Sequence, residues 1–91
     1  MTSRFASIVT FTGDVQGVGF RRRTAHIASG HPISGYVKNL DNGKVELYVE
    51  GGEEDCQEFV DQIKREMCNE IISFDSKITS AIGLTDFSIE R

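Results

Sequence analysis

A glycine-rich segment followed by an arginine has the composition of a binding site for a small anion. Residues 13–19 contain three glycines, and Arg21 stands two positions beyond the last of them. In such a loop the backbone N–H groups can point into one concavity, and the start of a following helix adds unpaired donors and the positive end of its dipole. An arginine there can bind two phosphate oxygens at once. The pattern predicts a phosphoryl group bound by Arg21 and by the loop backbone of Val15, Gln16, Gly17, Val18, Gly19 and Phe20.

The segment lacks the residues on which other phosphate-handling loops depend. It has neither the lysine of a Walker loop nor the glycine spacing and βαβ context of a dinucleotide-binding loop. Val15 stands six residues before the arginine, where many phosphatases carry a nucleophilic cysteine. No acidic cluster near the loop offers a magnesium site, and no histidine–cysteine spacing indicates zinc. If the site cleaves a phosphate bond, we expect water to be the nucleophile, with no metal and no cofactor.

Asn39 is the candidate for placing such a water molecule. It ends the predicted strand Ile33–Asn39, just before a hairpin. An asparagine amide both donates and accepts hydrogen bonds, so it can orient water without acting as a strong base. Other interpretations remain open at this point. The loop alone is equally well explained as a tight turn, Asn39 alone is more typical of a turn residue, and Arg22 and Arg23 are more typical of a solvated helix face.

The spacing of apolar residues predicts the elements that must position these side chains. Periods of 2 and 3.6 indicate a strand, a helix, two strands, a second helix, a fourth strand and a short fifth strand. The segments are Arg4–Thr12, Phe20 to about Ser29, Ile33–Asn39, Val45–Glu50, a helix opened by Glu53–Asp55 with Cys56, Phe59, Val60, Ile63 and Met67 on one face, Ile72–Ile78, and Phe87–Ile89. This βαββαβ order predicts a ferredoxin-like α/β sandwich of the α+β class, with two helices on one face of an antiparallel sheet.

Two finer expectations concern the hairpin and the strand after it. Asn42-Gly43 predicts a tight turn with positive φ at both central positions. The third strand alternates apolar and polar side chains, which predicts that it is buried on one face only. The face expected to be exposed carries Glu46, Tyr48 and Glu50.

Length and charge narrow the classes of partner. The chain has 91 residues and a formal net charge of −4, and we expect a single domain over residues 1–91. Residues 1–40 carry five basic groups and one acidic group, a net of +4, whereas residues 41–91 carry five basic and thirteen acidic groups, a net of −8. The acidic balance argues against nucleic acid, and the local cationic part fits one small anion.

The apolar stretches and the cysteines bear on the cellular compartment. No stretch is long enough for a secretion signal or for a membrane span of about 18 residues. Cys56 and Cys68 are twelve positions apart in one predicted helical stretch, which is too far for a disulfide. We therefore expect a reduced, cytoplasmic protein that acts as a monomer and binds no membrane.

The two candidate segments together resemble the signatures of the acylphosphatase family. Residues 13–21, GDVQGVGFR, resemble the first signature of that family. Residues 35–39, GYVKN, followed by Gly43 and Gly51, resemble the second. Residues 87–89, FSI, resemble the C-terminal strand of the family, so the similarity extends over essentially the whole chain.

The resemblance implies an enzyme that hydrolyses acyl phosphates to a carboxylate and inorganic phosphate. In that family the arginine matching Arg21 and the loop backbone bind the phosphoryl group, and the asparagine matching Asn39 positions the attacking water, with neither metal nor cofactor. Besides His31 and Pro32, two residues in or near the loop depart from the family pattern. Asp14 places a carboxylate close to the expected anion, and Arg23 stands where an aromatic residue is common.

Two other functions are compatible with such a fold. A non-catalytic anion-binding or interaction domain is the main alternative, because acylphosphatase-like modules also occur inside larger carbamoyl-transfer proteins of hydrogenase maturation. A chain of 91 residues would lack the remainder of such a protein. An RNA-binding or metal-chaperone module is disfavoured by the absence of a C-x-x-C pair and of RNP-type aromatic residues on the first and third strands.

Overall fold

A computed structural model describes residues 4–90, which form a five-stranded sheet with two helices packed on one face. The elements are β1 (Phe5–Gly13), α1 (Phe20–Ala28), β2 (Ile33–Asn39), β3 (Val45–Gly51), α2 (Glu53–Glu66), β4 (Ile71–Ile78) and β5 (Phe87–Glu90). Their order confirms the predicted βαββαβ arrangement with a short fifth strand. The strands lie in the order β4-β1-β3-β2-β5.

The sheet is mixed, and its fifth strand is the reason. β1, β2, β3 and β4 pair antiparallel with one another, as expected, but β5 lies parallel to β2. β4 and β5 are at opposite edges, so residues 79–86 must cross the sheet between them. This crossing returns the chain in the direction of β2 and places the end of β5 beside the end of that strand, where Lys38 is paired with Glu90.

The core lies between the helices and the sheet. The apolar spacing of both helices is confirmed, because Phe20, Thr24, Ile27 and Ala28 of α1 are buried, as is the whole predicted face of α2. On the sheet side, Val9, Phe11, Val37, Val45, Leu47 and Val49 pack against them. Phe20 meets Phe11 with ring centroids 5.4 Å apart. The first residue of α1 is thereby fixed on β1, an interior strand of the sheet.

Burial of β3 differs from the expectation. Tyr48 and Glu50 were predicted to be exposed, yet they keep only 3% and 0% of their surface. Residues 82–84 lie over this face of the sheet and contact both side chains. The alternation of polar residues could not show this cover, because it is formed by a segment more than thirty positions away in the chain.

The hairpin between β2 and β3 also differs from the expected two-residue turn. Gly43 has φ +88°, but among residues 4–90 only glycines have positive φ, so Asn42 does not. The N–H of Leu40 donates to the carbonyl of Lys44 at 2.8 Å, and the N–H of Lys44 donates to Oδ1 of Asn42 at 3.0 Å. The loop therefore contains three residues and needs only one left-handed glycine.

α2 is shorter than the helical stretch that was predicted to contain both cysteines. It ends at Glu66, so Cys68 lies beyond it and the expectation of one helix holding both cysteines is wrong. Both thiols are nevertheless free, with Cys56 buried and Cys68 exposed. Within residues 4–90, none of the helices has the length and apolar composition needed to cross a membrane.

Candidate active site

The glycine-rich loop turns through two left-handed residues before it enters α1. Gly17 has φ +77°, and Gly19, the residue preceding the first turn of the helix, has φ +78°. A side chain at either position would meet no other atom within 4 Å, so the backbone conformation is what favours glycine there. The two turns leave the loop on the surface while Val15 and Phe20 anchor it in the core.

The backbone N–H groups of this loop are free to bind a ligand. Across residues 15–22 no N–H donates to any acceptor within residues 4–90, and the first that does is Arg23, which donates to the carbonyl of Gly19 at 3.0 Å. α1 has neither a side-chain cap nor an acidic residue in its first turn. Unpaired donors at a helix N-terminus, together with the positive dipole end, form a binding site for an anion.

Arg21 is held from the opposite side by the last strand. Its Nη1 donates to the backbone carbonyl of Glu90, at the end of β5, at 2.9 Å. No other acceptor in residues 4–90 takes a hydrogen bond from this guanidinium. The Nη1 group of the guanidinium is thus held by the protein, and its remaining N–H groups can bind an anion.

A cavity of about 310 Å³ brings the predicted residues together. It is lined by Val15, Gly17, Gly19, Phe20, Arg21, Arg22, Asn39 and Ile89. Gln16 and Val18 of the predicted loop set do not line it. Arg22, expected on a solvated face, is exposed and also borders the cavity, and Ile89 was not predicted as a site residue. Its place depends on the parallel pairing of β5 with β2, for which the local sequence carries no signal.

Asn39 lines this cavity and carries an unpaired side-chain acceptor. It is the last residue of β2 and is paired with Val45 of β3. Its Oδ1 is buried, and no donor within residues 4–90 reaches it. A buried amide oxygen without a partner is unfavourable, and no hydrogen bond within residues 4–90 holds the amide, so it can turn this oxygen toward a donor on a bound molecule.

Gln16 connects the loop to the hairpin that carries Asn39. Its Nε2 donates to the carbonyls of Leu40 and Lys44, both at 2.8 Å. Both amide hydrogens are then used in holding the loop against the end of β2. For Gln16 the sequence predicted only a backbone contact with the phosphoryl group, so this side-chain role was missed. The signal in the sequence was the side-chain amide of Gln16 itself, which carries two N–H donors and can bind backbone carbonyls.

The two departures from the family pattern take structural positions at the base of the loop. The N–H of Asp14 donates to the carbonyl of Glu70 at 2.9 Å, and the carboxylate of Asp14 is exposed and does not line the cavity. Arg23 is not simply solvated, because it contacts Glu70 Oε1 at 3.1 Å and the carbonyl of Glu66 at 3.0 Å. Arg23 therefore joins α1 to the end of α2 and to Glu70 beyond it, whereas Asp14 joins the end of β1 to Glu70 through its backbone.

The Cys56 thiol and the Tyr36 phenol, both outside the cavity, are poor nucleophiles. Burial raises the pKa of the Cys56 thiol to about 11. Burial and the hydrogen bond to Glu46 raise the pKa of Tyr36 to about 12. Among the described residues, no group of three or more His, Cys, Asp or Glu side chains is arranged to hold a metal ion. The loop backbone, Arg21 and Asn39 are therefore the candidate functional groups of this cavity.

The fold defines the class of protein, a ferredoxin-like sandwich, and its first helix begins beside the glycine-rich loop and the cavity. The family model for acylphosphatase matches residues 7–89, and the chain belongs to the acylphosphatase family. The acylphosphatase of Listeria monocytogenes serotype 4b is 49% identical over 63 residues, which are 69% of this chain and 68% of that protein. The predicted enzyme class, an acylphosphatase, is confirmed, and family and fold support hydrolysis of acyl phosphates.

Solved structures give the same fold. The crystal structure of acylphosphatase from Bacillus subtilis matches with a TM-score of 0.86 at 32% identity, covering 96% of this chain and 99% of that one. HypF from T. kodakarensis matches with a TM-score of 0.81 at 36% identity, covering 96% of this chain and 12% of that one. The ferredoxin-like fold class is thereby confirmed.

Proposed function

We propose that this chain hydrolyses acyl phosphates to a carboxylate and inorganic phosphate by attack of water on phosphorus, with Arg21 and Asn39 as the catalytic residues. The observation that carries the proposal is the run of unpaired N–H groups over residues 15–22, most of which line the same cavity as Arg21 and Asn39. Such a constellation offers many donors to one small anion. It fits a phosphoryl group better than an extended polyanion.

The loop and Arg21 bind the phosphoryl oxygens. In phosphoryl transfer the protein acts mainly by positioning and by stabilising charge on the three equatorial oxygens. The backbone N–H groups of residues 15–20 are fixed in place, so they need no reorganisation as that charge develops. Arg21 adds a full positive charge, and its contact with the carbonyl of Glu90 sets the plane of the guanidinium.

Asn39 positions the water that attacks. Its unpaired Oδ1 accepts a hydrogen bond from that water and holds it against the phosphorus. A strong base is not required, because the leaving group is a carboxylate, which departs as a stable anion without a general acid. Arg21 and the backbone donors supply the charge stabilisation for which other phosphoryl-transfer sites use a metal ion. The proposed reaction therefore uses no metal and no cofactor.

The test of this proposal is release of phosphate from benzoyl phosphate in the presence of EDTA. We expect activity in EDTA, and we expect Arg21→Gln to lower kcat/KM by about 10²–10³-fold, as loss of a preorganised donor does elsewhere. Arg65→Gln is the matched control, because it removes the same charge from an exposed position on α2. Activity that disappears in EDTA, or an Arg21→Gln variant as active as Arg65→Gln, would contradict the proposal.

The remaining expectations about the whole protein are part of the same proposal. We propose one domain over residues 1–91, acting as a monomer in the cytoplasm on a small molecule and not on nucleic acid or a membrane. The exposed thiol of Cys68 is free, which is typical of a reducing compartment. Size-exclusion chromatography with light scattering tests the monomer. A stable dimer would contradict it.

A binding-only function is the alternative that the likeness to a small part of HypF favours. In that case phosphate would still bind the native state. At a concentration ten times its Kd it would raise the free energy of unfolding by about 1.4 kcal/mol. Phosphate protection without any release of phosphate from benzoyl phosphate would support this alternative over hydrolysis.

A further inference from the structure

Glu50 is a fully buried carboxylate that the proposed hydrolysis does not use. It lies near the end of β3, with 0% of its surface exposed. Oε2 accepts from Nε of Arg4 at 2.9 Å, and Oε1 accepts from the hydroxyl of Tyr48 at 3.0 Å. A buried carboxylate is unfavourable unless its oxygens are this well satisfied. The number of hydrogen-bond donors around this one carboxylate indicates that its negative charge has a role.

Three further donors come from the segment that crosses the sheet. The backbone N–H groups of Ile82, Gly83 and Leu84 point to Oε1 of Glu50 at 3.3, 3.0 and 3.0 Å. Gly83 has φ +86°, the left-handed conformation that lets successive N–H groups converge on one acceptor. The N–H of Ile82 also donates to the hydroxyl of Tyr48 at 3.0 Å. Residues 82–84 thus wrap around a single anion.

The same segment determines where β5 lies. Before the contacts with Glu50 it is attached at Thr79, whose N–H donates to the carbonyl of Ala6 at 3.0 Å, and after them at Asp86, whose carbonyl accepts from Gly35 at 3.0 Å. β5 begins with the next residue, has four residues and pairs, within the described part of the chain, with β2 alone. A short edge strand with one neighbour depends strongly on the segment that delivers it.

The proposed catalytic cavity in turn depends on β5. Ile89 forms part of the cavity wall, and the carbonyl of Glu90 receives Nη1 of Arg21 at 2.9 Å. The contacts therefore run from Glu50 to residues 82–84, along β5, and to Arg21. Each step is a hydrogen bond or a short covalent stretch of chain, and β5 is held in addition by Phe87, whose ring packs on Phe59 of the core with centroids 5.6 Å apart.

We propose that Glu50 is a positioning residue for the phosphoryl site, because its carboxylate holds residues 82–84 and so keeps the end of β5 against Arg21. The inference rests on the proposed function of Arg21 and extends it to a residue on the opposite face of the sheet. Glu50 does not touch the substrate. Its effect is expected in the affinity for the phosphoryl group.

The test compares Glu50→Gln with Glu46→Gln. Glutamine keeps the shape and one acceptor oxygen for residues 82–84 but removes the charge. Glu46 is a matched control: it stands on the same face of β3, accepts from the hydroxyl of Tyr36 at 2.8 Å and pairs with Lys38 at 3.7 Å, and it forms no hydrogen bond or ion pair with residues 79–86. Both variants are assayed at a temperature where circular dichroism shows them folded.

We expect Glu50→Gln to raise KM for benzoyl phosphate and the inhibition constant of inorganic phosphate about fivefold, with kcat changed less than about twofold. We also expect faster hydrogen exchange of the β5 amides. Glu46→Gln should leave all of these at the wild-type values. Glu50→Gln that lowers stability without changing phosphate affinity or β5 exchange would overturn the proposal, since a merely structural role predicts that result.

Two features keep this test decisive. If Glu50→Gln does not fold, Tyr48→Phe removes the hydroxyl shared by Glu50 and Ile82 and should show the same changes in smaller measure. Phosphate affinity and β5 exchange can both be read by NMR without turnover. A wild type that binds phosphate but hydrolyses nothing would contradict the proposed function, whereas equal phosphate affinity in the Glu50 and Glu46 variants would contradict the role of Glu50.

Discussion

Arg21 and Asn39 are held in place by different kinds of contact, and this separates their expected roles. Arg21 has a charged fork with one arm fixed on the carbonyl of Glu90, so it can bind the phosphoryl group in both the ground and transition states. Asn39 is fixed by the end of its strand and offers a single unpaired oxygen. Loss of Arg21 should therefore affect binding and turnover together, whereas loss of Asn39 should affect turnover alone.

For Asn39→Ala we expect kcat to fall by about 10²-fold or more, because the attacking water loses its positioning contact. The inhibition constant of inorganic phosphate should stay within about twofold, since the loop donors and Arg21 are unchanged. Steady-state kinetics with phosphate as an inhibitor measure both values. Asn69→Ala serves as a control, because Asn69 is exposed and does not line the cavity. A loss of phosphate affinity equal to the loss of kcat would contradict a role limited to water.

The elements around the site are joined in pairs by a few polar contacts. Gln16 ties the loop before α1 to the hairpin after β2 through the carbonyls of Leu40 and Lys44. The carbonyl of Glu90 ties β5 to α1 through Arg21. Each contact fixes one catalytic group relative to an element from another part of the chain. The accuracy of the site should therefore depend on such side chains as well as on the core.

We expect Gln16→Ala to lower the free energy of unfolding by about 1–3 kcal/mol, because it removes two hydrogen bonds and leaves two carbonyls without their partner. We also expect kcat/KM to fall, since the loop is no longer fixed relative to Asn39. Urea unfolding and benzoyl phosphate hydrolysis measure the two effects. Gln57→Ala, an exposed glutamine on α2, is the control. Wild-type activity in Gln16→Ala would show that the contact does not position the site.

The sequence predicted those parts of these elements that local chemistry decides. The bounds of β2 were predicted correctly, and so were the buried faces of both helices, because period and glycine placement act within a few residues. The structure also places Arg21 and Asn39 on one cavity, as the resemblance of their two segments to the family signatures implied. Burial of Tyr48 and Glu50, the contact of Gln16 with the hairpin and the place of Ile89 were not predictable in this way. Each depends on a partner that only the folded chain brings near.

At the scale of the whole molecule, residues 79–86 tie one edge of the sheet to the other. They leave β4 at one edge, cross over Tyr48 and Glu50, and begin β5 at the other edge. Burial alone would raise the pKa of Glu50, but the N–H of Leu84, the hydroxyl of Tyr48 and the guanidinium of Arg4 outweigh it, so the pKa lies below its ordinary value. The charged carboxylate therefore stabilises the folded state.

This lowered pKa has a consequence for stability in acid. A carboxylate whose folded pKa lies below its unfolded value stabilises the protein above the unfolded pKa, and that contribution is lost as the pH falls through the folded pKa. We expect the free energy of unfolding to fall below about pH 4.5, the ordinary value for this group. In Glu50→Gln the fall should be smaller than in Glu46→Gln, as measured by urea unfolding between neutral pH and about pH 3. Equal pH dependence in the two variants would contradict the charged state assigned to Glu50.

Hydrolysis of benzoyl phosphate in ¹⁸O-labelled water with EDTA present tests most directly whether water attacks phosphorus without a metal ion. Water that is held by Asn39 and attacks phosphorus must leave its oxygen on the phosphoryl group, so the P–O bond to the acyl oxygen breaks. We expect one labelled oxygen in inorganic phosphate and none in benzoate, with the rate depending on Arg21. Label in benzoate would mean attack on the carbonyl carbon, and loss of activity in EDTA would mean that a metal is required. Either result would contradict metal-independent attack of water on phosphorus.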